Sequence, residues 1–181
     1  MCIRDSGYRQ SAVFYFSFAP LDLTRPYKEV FFFQKYLMFI SYGFIHSNVI
    51  HLLINIIALF LLGKKLRSLG KDNLTFLILF LSILGGATFY YLFKPNSPVP
   101  LIGANCASFG LLAFVLSEEL INRLKGRRSV NQMVYVLLIF IFAHILYFYA
   151  FSAILPVSVI WQGHLGAFLT GASLAFIYRK A

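Results

Sequence analysis

Polar side chains that could do chemistry interrupt the apolar stretches of this sequence. They are His46, His51 and Asn55 in FIHSNVIHLLIN, Asn105 in LIGANCASFG, and Gln162 and His164 in WQGHLGAFLTG. An unpaired polar group in apolar surroundings costs several kcal/mol, so each of these positions is a candidate functional site. Imidazoles can move protons, and imidazole and amide N–H groups can stabilise an oxyanion. The set therefore suits a site that pairs a nucleophile with a histidine.

Other kinds of site are disfavoured by the residues that these stretches lack. All six carboxylates are expected outside the apolar spans: Asp5, Asp22, Glu29, Asp72, Glu118 and Glu119. A Ser-His-Asp triad or an aspartyl dyad within these apolar stretches is then excluded. His46 and His51 lie about 140° apart around a helix, and the sequence has no His-Glu-x-x-His motif. We expect no metal and no cofactor.

The apolar stretches identify the elements that must position these side chains. Of the 181 residues, 60% are hydrophobic and only 12% are charged, and mean hydropathy is +0.78. Soluble domains average about 25% charged residues. Runs of roughly spanning length cover 42–62, 74–93, 101–117, 133–151 and 157–178, while the run 11–19 is about half a span. We predict an all-α, polytopic transmembrane helical bundle of six spans, the first of them truncated, in which His144 is a core residue.

The first ten residues stand apart from this pattern. They read MCIRDSGYRQ and lack the long apolar core and the small-residue cleavage site of a signal peptide. We interpret residues 1–10 as a non-native leader that either precedes a truncated helix or replaces native sequence. Residues 11–181 are then a single transmembrane domain.

The basic residues predict the orientation of the bundle. Ten follow the second, fourth and sixth spans: Lys64, Lys65, Arg67, Lys71, Arg123, Lys125, Arg127, Arg128, Arg179 and Lys180. Only four fall on the other side: Arg25, Lys28, Lys35 and Lys94. By the positive-inside rule, both termini and the basic loops are cytoplasmic. The net charge of +10 is therefore interpreted as a topology signal with lipid headgroup contact, and no nucleic-acid partner is expected.

The candidate residues are expected at a similar depth below the outer membrane surface. The second, fourth and sixth spans run in the same direction, which places His51, Asn105 and His164 roughly 8 to 14 Å below the outer surface. Small residues recur every four positions at Gly163, Ala167 and Gly171 and at Ala104 and Ser108, a pattern typical of closely packed membrane helices. We expect the fourth and sixth spans to pack together there, with the site opening to the outer face.

Three of these stretches resemble the rhomboid family of intramembrane serine proteases. FIHSNVIHLLINIIALFLLGKKLRSLG is similar to the family's His-x-x-x-x-His-x-x-x-Asn segment and the glycine-bounded turn after it. IGANCASFGLLAF resembles the Gly-x-Ser-Gly-x-x-x-Gly start of the family's fourth span, and GHLGAFLTG resembles its sixth-span His-x-x-Gly region. The resemblance covers about residues 36–178. It implies hydrolysis of the transmembrane helices of substrate proteins within the bilayer.

The resemblance assigns roles position by position. It makes His164 the base, His51 and Asn55 the oxyanion donors, and His46 and Gly103 supporting residues. It places Asn105 on the nucleophilic serine and Cys106 on the glycine after it. Two further departures are Arg67, where the family often has glutamate, and Ala167, where it often has glycine.

Because asparagine stands at the nucleophile position, we predict a protease scaffold that is inactive with this sequence. An amide has no nucleophilic group that His164 could activate. Cys106 is rotated about 100° from position 105, and Ser108 lies about 60° off and about 4.5 Å deeper, so we expect packing roles for both. An evolved loss, a deliberate inactivation and a one-base read error would each account for Asn105.

Two other functions are compatible with the sequence. The bundle could be a non-catalytic pseudoprotease that binds transmembrane client proteins, with Asn105 holding a substrate carbonyl. A small transporter or channel is a third hypothesis, which the expected lack of a buried carboxylate or lysine weakens.

Overall fold

The structure is a computed structural model that describes residues 6–24, 33–124, 138 and 160–180. The α-helices in these ranges are α1 (Ser6–Phe16), α2 (Leu21–Thr24), α3 (Gln34–Ser41), α4 (Val49–Ser68), α5 (Thr75–Phe93), α6 (Asn105–Leu124) and α7 (Trp161–Ile177). Short 3-10 turns occur at Tyr42–Phe44, Asp72–Leu74 and Tyr178–Lys180. Apart from Leu138, the predicted fifth span lies outside the described residues, and so does His144.

Local signals in the sequence determine both ends of α4. The Asn48 side chain caps the first turn by accepting a 2.8 Å hydrogen bond from the His51 backbone N–H. At the other end, Gly70 adopts φ 69°, and the N–H groups of Gly70 and Lys71 return to the carbonyls of Arg67 and Leu66. This left-handed C-terminal turn ends the helix just after the basic residues Lys64, Lys65 and Arg67.

Two helical segments in the described ranges, Val49–Ser68 and Asp72–Phe93, are long and apolar enough to cross a membrane. Their outward faces carry large apolar side chains, among them Phe60 at 68% exposure and Phe76 at 86%. In water such faces would be costly, whereas lipid solvates them. The number of spans stays a prediction.

Helices α5, α6 and α7 pack together at the centre of the described bundle, and α4 packs against α6. A Cβ on Gly171 of α7 would run into the backbone of Gly110 on α6, and a Cβ on Gly110 would approach the carbonyl oxygen of Ala167 to 3.1 Å. The expected close packing of the fourth and sixth spans is thus confirmed. Dispersion and close backbone contact hold such helices together in lipid.

The outer segment between α5 and α6 is joined to the N-terminal part of the chain. Phe18 and Leu101 exchange backbone hydrogen bonds of 3.2 and 2.8 Å, and Leu21 N–H donates to Ser97 O. The Tyr42 carbonyl accepts from Gly103 N–H at 3.0 Å, while the Tyr42 hydroxyl donates to Ile83 O at 2.8 Å. These bonds fix the strand-like segment that leads directly into Asn105.

The carboxylates at the far end of α6 correct one expectation. The helix continues to Leu124, past the predicted end of its span, and it buries both Glu118 and Glu119. Glu119 forms a 2.6 Å ion pair with Lys65 of α4. The expectation that the bundle holds no buried carboxylate is therefore wrong, and it no longer counts against a transporter. Lys65 itself is only partly buried. Both carboxylates lie roughly 20 Å along α6 from Asn105, too far to join that site.

Candidate functional site

The predicted site residues lie at the beginnings of three helices. His51 is in the first turn of α4, Asn105 is the first residue of α6, and His164 is in the first turn of α7. The apolar runs start earlier than these helices do, at 42, 101 and 157. The residues before Val49 and Asn105 instead form a 3-10 turn and extended chain, because the Asn48 cap and Gly103 at φ 98° interrupt the helical backbone. The site therefore lies at helix N-termini, where backbone N–H groups have no partner within the helix.

His51 is held by two neighbouring side chains. It is buried, with 4% of its surface exposed. Its Nδ1 lies 3.0 Å from the hydroxyl oxygen of Ser47, and its backbone N–H donates to Asn48. Asn48 Nδ2 also donates to Ser47 Oγ at 3.1 Å. Sequence reasoning assigned no role to Ser47 or Asn48, although the polar pair just before the helix was the available signal.

Gly103 lies directly against His51. A Cβ at Gly103 would come within 2.7 Å of His51 Nε2. The positive φ of Gly103 is a conformation that residues with a Cβ rarely adopt. Glycine is therefore required here on two grounds, backbone conformation and space beside the imidazole.

His46 joins the segment before α4 to the start of α6. Its Nε2 accepts a 3.2 Å hydrogen bond from Ala104 N–H. Accepting from an N–H requires an unprotonated Nε2, so this geometry suits neutral His46 with its proton on Nδ1. The His46 and His51 rings are 5.1 Å apart at 73°.

Asn55 links α4 to α6. Its Nδ2 donates to His51 O at 2.9 Å, and its Oδ1 accepts from Ser108 Oγ at 3.4 Å. An amide nitrogen carries two hydrogens, so the bond to His51 O occupies one of them. Asn55 lies one helical turn after His51, and its hydrogen bond to His51 O stabilises the turn that contains His51.

His164 packs against the α6 face that begins with Asn105. The Phe109 ring stacks on the His164 imidazole at a centroid distance of 4.6 Å and an interplanar angle of 7°. Phe109 lies four residues after Asn105, so the two side chains share one face of α6. Sequence reasoning missed Phe109, which its spacing from position 105 could have indicated.

The two neighbours of Asn105 that could act as nucleophiles are both fully buried. Cys106 Sγ packs between helices, 2.6 Å from where a Cβ of Gly86 would be and 3.5 Å from that of Gly163. Ser108 donates its hydroxyl to Asn55. These contacts agree with the packing roles expected from the sequence.

A cavity of about 530 Å³ lies elsewhere, between α1, α2 and the segment that precedes α6. Its lining residues are Gln10, Val13, Phe14, Ser17, Ala19, Asp22, Pro98 and Pro100. None of the predicted site residues lines it.

Comparison with known proteins agrees with the resemblance read from the motifs. A family model, the rhomboid domain, matches residues 34–181, a range that contains all of the predicted site residues. No match was found among curated proteins. With four-fifths of its length matched by the rhomboid domain, the chain belongs to the rhomboid family, integral membrane proteins that act on membrane-protein substrates within the bilayer.

Proposed function

We propose that this chain is a rhomboid intramembrane serine endopeptidase scaffold that is inactive as written because Asn105 occupies the nucleophile position. The observation that carries the proposal is the stacking of His164 on Phe109, on the α6 face that begins at Asn105. The burial of His51 beside Gly103, two residues before that position, supports it further.

With serine at position 105, the reaction follows from these positions. The serine oxygen attacks the scissile carbonyl carbon while His164 takes the hydroxyl proton. N–H groups of His51 and Asn55 stabilise the oxyanion. Collapse of the tetrahedral intermediate breaks the C–N bond, and His164 returns the proton to the leaving amine. Water then hydrolyses the acyl-enzyme by the same steps. With Asn105 the first bond cannot form.

The site also supports a second function, the binding of transmembrane clients without cleavage. An asparagine amide offers both donors and acceptors, so Asn105 at the start of α6 can hold the backbone of an unwound client segment. Such a segment needs partners, because lipid supplies no hydrogen bonds to an exposed backbone.

The decisive experiment compares the chain with its Asn105→Ser variant in detergent. The substrate is a transmembrane peptide with a helix-destabilising segment, and each protein is also treated with a serine-directed fluorophosphonate. We expect cleavage and labelling only in the serine variant, and neither when His164→Ala is added. Equal cleavage by both chains would falsify the assignment of position 105. No cleavage by either, with substrate still co-purifying, would favour the client-binding function.

A further inference from the structure

Tyr42 connects helix α5 to the chain that leads into position 105. Its side chain is fully buried, and its hydroxyl donates a 2.8 Å hydrogen bond to Ile83 O. Its backbone carbonyl accepts from Gly103 N–H at 3.0 Å. One tyrosine thus binds α5 through its side chain and the segment before α6 through its backbone.

The turn that begins at Tyr42 makes a second contact with this segment. The Tyr42 carbonyl also accepts from Ile45 N–H at 3.2 Å, which closes the turn. The turn leads directly to His46, whose Nε2 accepts from Ala104 N–H at 3.2 Å. The last two backbone N–H groups before α6 are therefore both bound by residues 42–46.

Close packing holds the same turn against α5. Gly43 follows Tyr42, and a Cβ on Gly43 would come within 3.0 Å of Ile83 Cδ1. Ile83 thus contacts both residues, since its carbonyl accepts from the Tyr42 hydroxyl and its side chain packs against Gly43. Because Ile83 lies within α5, its carbonyl is held by the helix and gives the turn a fixed point of attachment.

We infer that Tyr42 is a positioning residue for the nucleophile position, because its hydroxyl fixes the backbone before α6 relative to α5. The inference rests on the proposed function, and it extends the machinery to a residue that the motifs did not indicate. Gly103 is bound two residues before position 105, so a shift of the Tyr42 carbonyl moves the start of α6.

The expected size of the effect follows from geometry. A reacting group that is misplaced by about 1 Å can lose about 10²-fold in rate. In Tyr42→Phe the ring still fills its place in the core, and only the bond to Ile83 O is lost. We therefore expect a smaller loss, about tenfold in kcat.

The first test measures hydrogen exchange at the Gly103 amide in the chain as it stands. Ile102–Gly103 is the single Ile-Gly pair in the sequence, so ¹³C-carbonyl isoleucine combined with ¹⁵N-glycine isolates this amide by nuclear magnetic resonance. Phe109–Gly110, the single Phe-Gly pair, gives a reference amide within α6 in the same way. We expect Tyr42→Phe to speed exchange at Gly103 about five- to tenfold, as the loss of one hydrogen bond would, and to leave Gly110 unchanged.

Tyr90→Phe is the matched control, because it removes another buried tyrosine hydroxyl that contacts the same outer segment. Tyr90 Oη lies 2.9 Å from Val99 O and 2.6 Å from Ser97 Oγ. Leu101 lies between Val99 and Gly103 and is itself bonded to the N-terminal part of the chain. We therefore expect Tyr90→Phe to leave exchange at Gly103 unchanged.

The exchange measurement can overturn the inference in three ways. Rapid exchange at Gly103 in the unaltered chain would contradict it even if Tyr42→Phe failed to fold, because the amide would then not be held. A folded Tyr42→Phe variant without acceleration would show that the hydroxyl does not fix this segment. Equal acceleration in Tyr42→Phe and Tyr90→Phe would contradict it too, since the loss of either hydroxyl would then have the same effect.

A second test measures kinetics in the Asn105→Ser background. We expect Tyr42→Phe to lower kcat about tenfold with little change in KM. Tyr90→Phe should lose a similar amount of thermal stability and keep its kcat. Equal falls in kcat in the two variants would contradict the inference. If Asn105→Ser itself is inactive, the proposed function fails, while exchange at Gly103 still decides whether Tyr42 fixes the segment.

Discussion

At the scale of single residues, the site depends on small groups placed against imidazoles. Gly103 leaves room for His51, and Ala104 offers its N–H to His46. Both residues immediately precede Asn105. Both histidines therefore contact the segment that leads into position 105, and substitutions in this segment should disturb the candidate site more than the rest of the bundle.

We expect Gly103→Ala to disturb this segment strongly. The new Cβ would meet His51 Nε2 at 2.7 Å, and the backbone would have to hold φ 98° with a side chain present. A residue held in such a conformation costs about 1–3 kcal/mol. Thermal unfolding in detergent should show this loss, and the Asn105→Ser background should lose most of its cleavage activity.

Gly63→Ala is the matched control for that measurement. Gly63 lies within α4, and nothing is within 4 Å of the position that its Cβ would occupy. Alanine is favoured over glycine in a helix by roughly 0.5–1 kcal/mol, so stability should rise slightly or stay unchanged. Equal losses in Gly103→Ala and Gly63→Ala would contradict the special role of Gly103.

At the scale of helices, the sequence indicated which elements meet but not where they begin. Gly163, Ala167 and Gly171 correctly marked the face of α7 that packs on α6. The apolar run from 42 suggested a helix that in fact starts at Val49. Hydropathy cannot distinguish helical from non-helical apolar chain, and the start of this helix depends on the side-chain cap that Asn48 supplies.

Long-range partners were the least predictable part of the site. The stacking of Phe109 on His164 and the pairing of Lys65 with Glu119 join residues distant in sequence. Such contacts follow from how the helices rotate against each other. A charged residue near the end of an apolar run is equally consistent with a loop, which is why the burial of Glu119 was missed.

Gly171→Ala should separate α6 from α7. Its Cβ would meet the carbonyl of Gly110, a backbone group that cannot turn aside as a side chain can. We expect a loss of about 1–3 kcal/mol, typical of overpacking. In the Asn105→Ser background, cleavage should also fall, because position 105 and His164 lie on these two helices. Unfolding and cleavage assays check both effects, and unchanged values in both would contradict the close approach of α6 and α7.

At the scale of the whole molecule, the ends of the bundle differ in chemistry. The end of the bundle at which α4, α6 and α7 begin carries the histidines and amides of the candidate site. The opposite end carries the Lys65–Glu119 pair, and Lys71 Nζ donates there to Tyr178 O at 3.0 Å. If the basic end faces the cytoplasm, the site opens toward the outer surface. A substrate would then be cut near the outer end of its helix.

This orientation can be tested with single cysteines placed at the two ends. Asn96→Cys lies in the exposed segment before α6, and Ser68→Cys lies at the exposed end of α4. Cys2 is replaced by serine, while Cys106 is fully buried and stays as an internal control.

Since basic residues concentrate after the second, fourth and sixth predicted spans, the Ser68 end should be cytoplasmic. In intact cells we expect a membrane-impermeant maleimide to label Asn96→Cys alone. After permeabilisation both variants should react and the chain with only Cys106 should not. Labelling of Ser68→Cys in intact cells would reverse the topology and place the site near the cytoplasmic surface, with cleavage at the other end of the substrate helix.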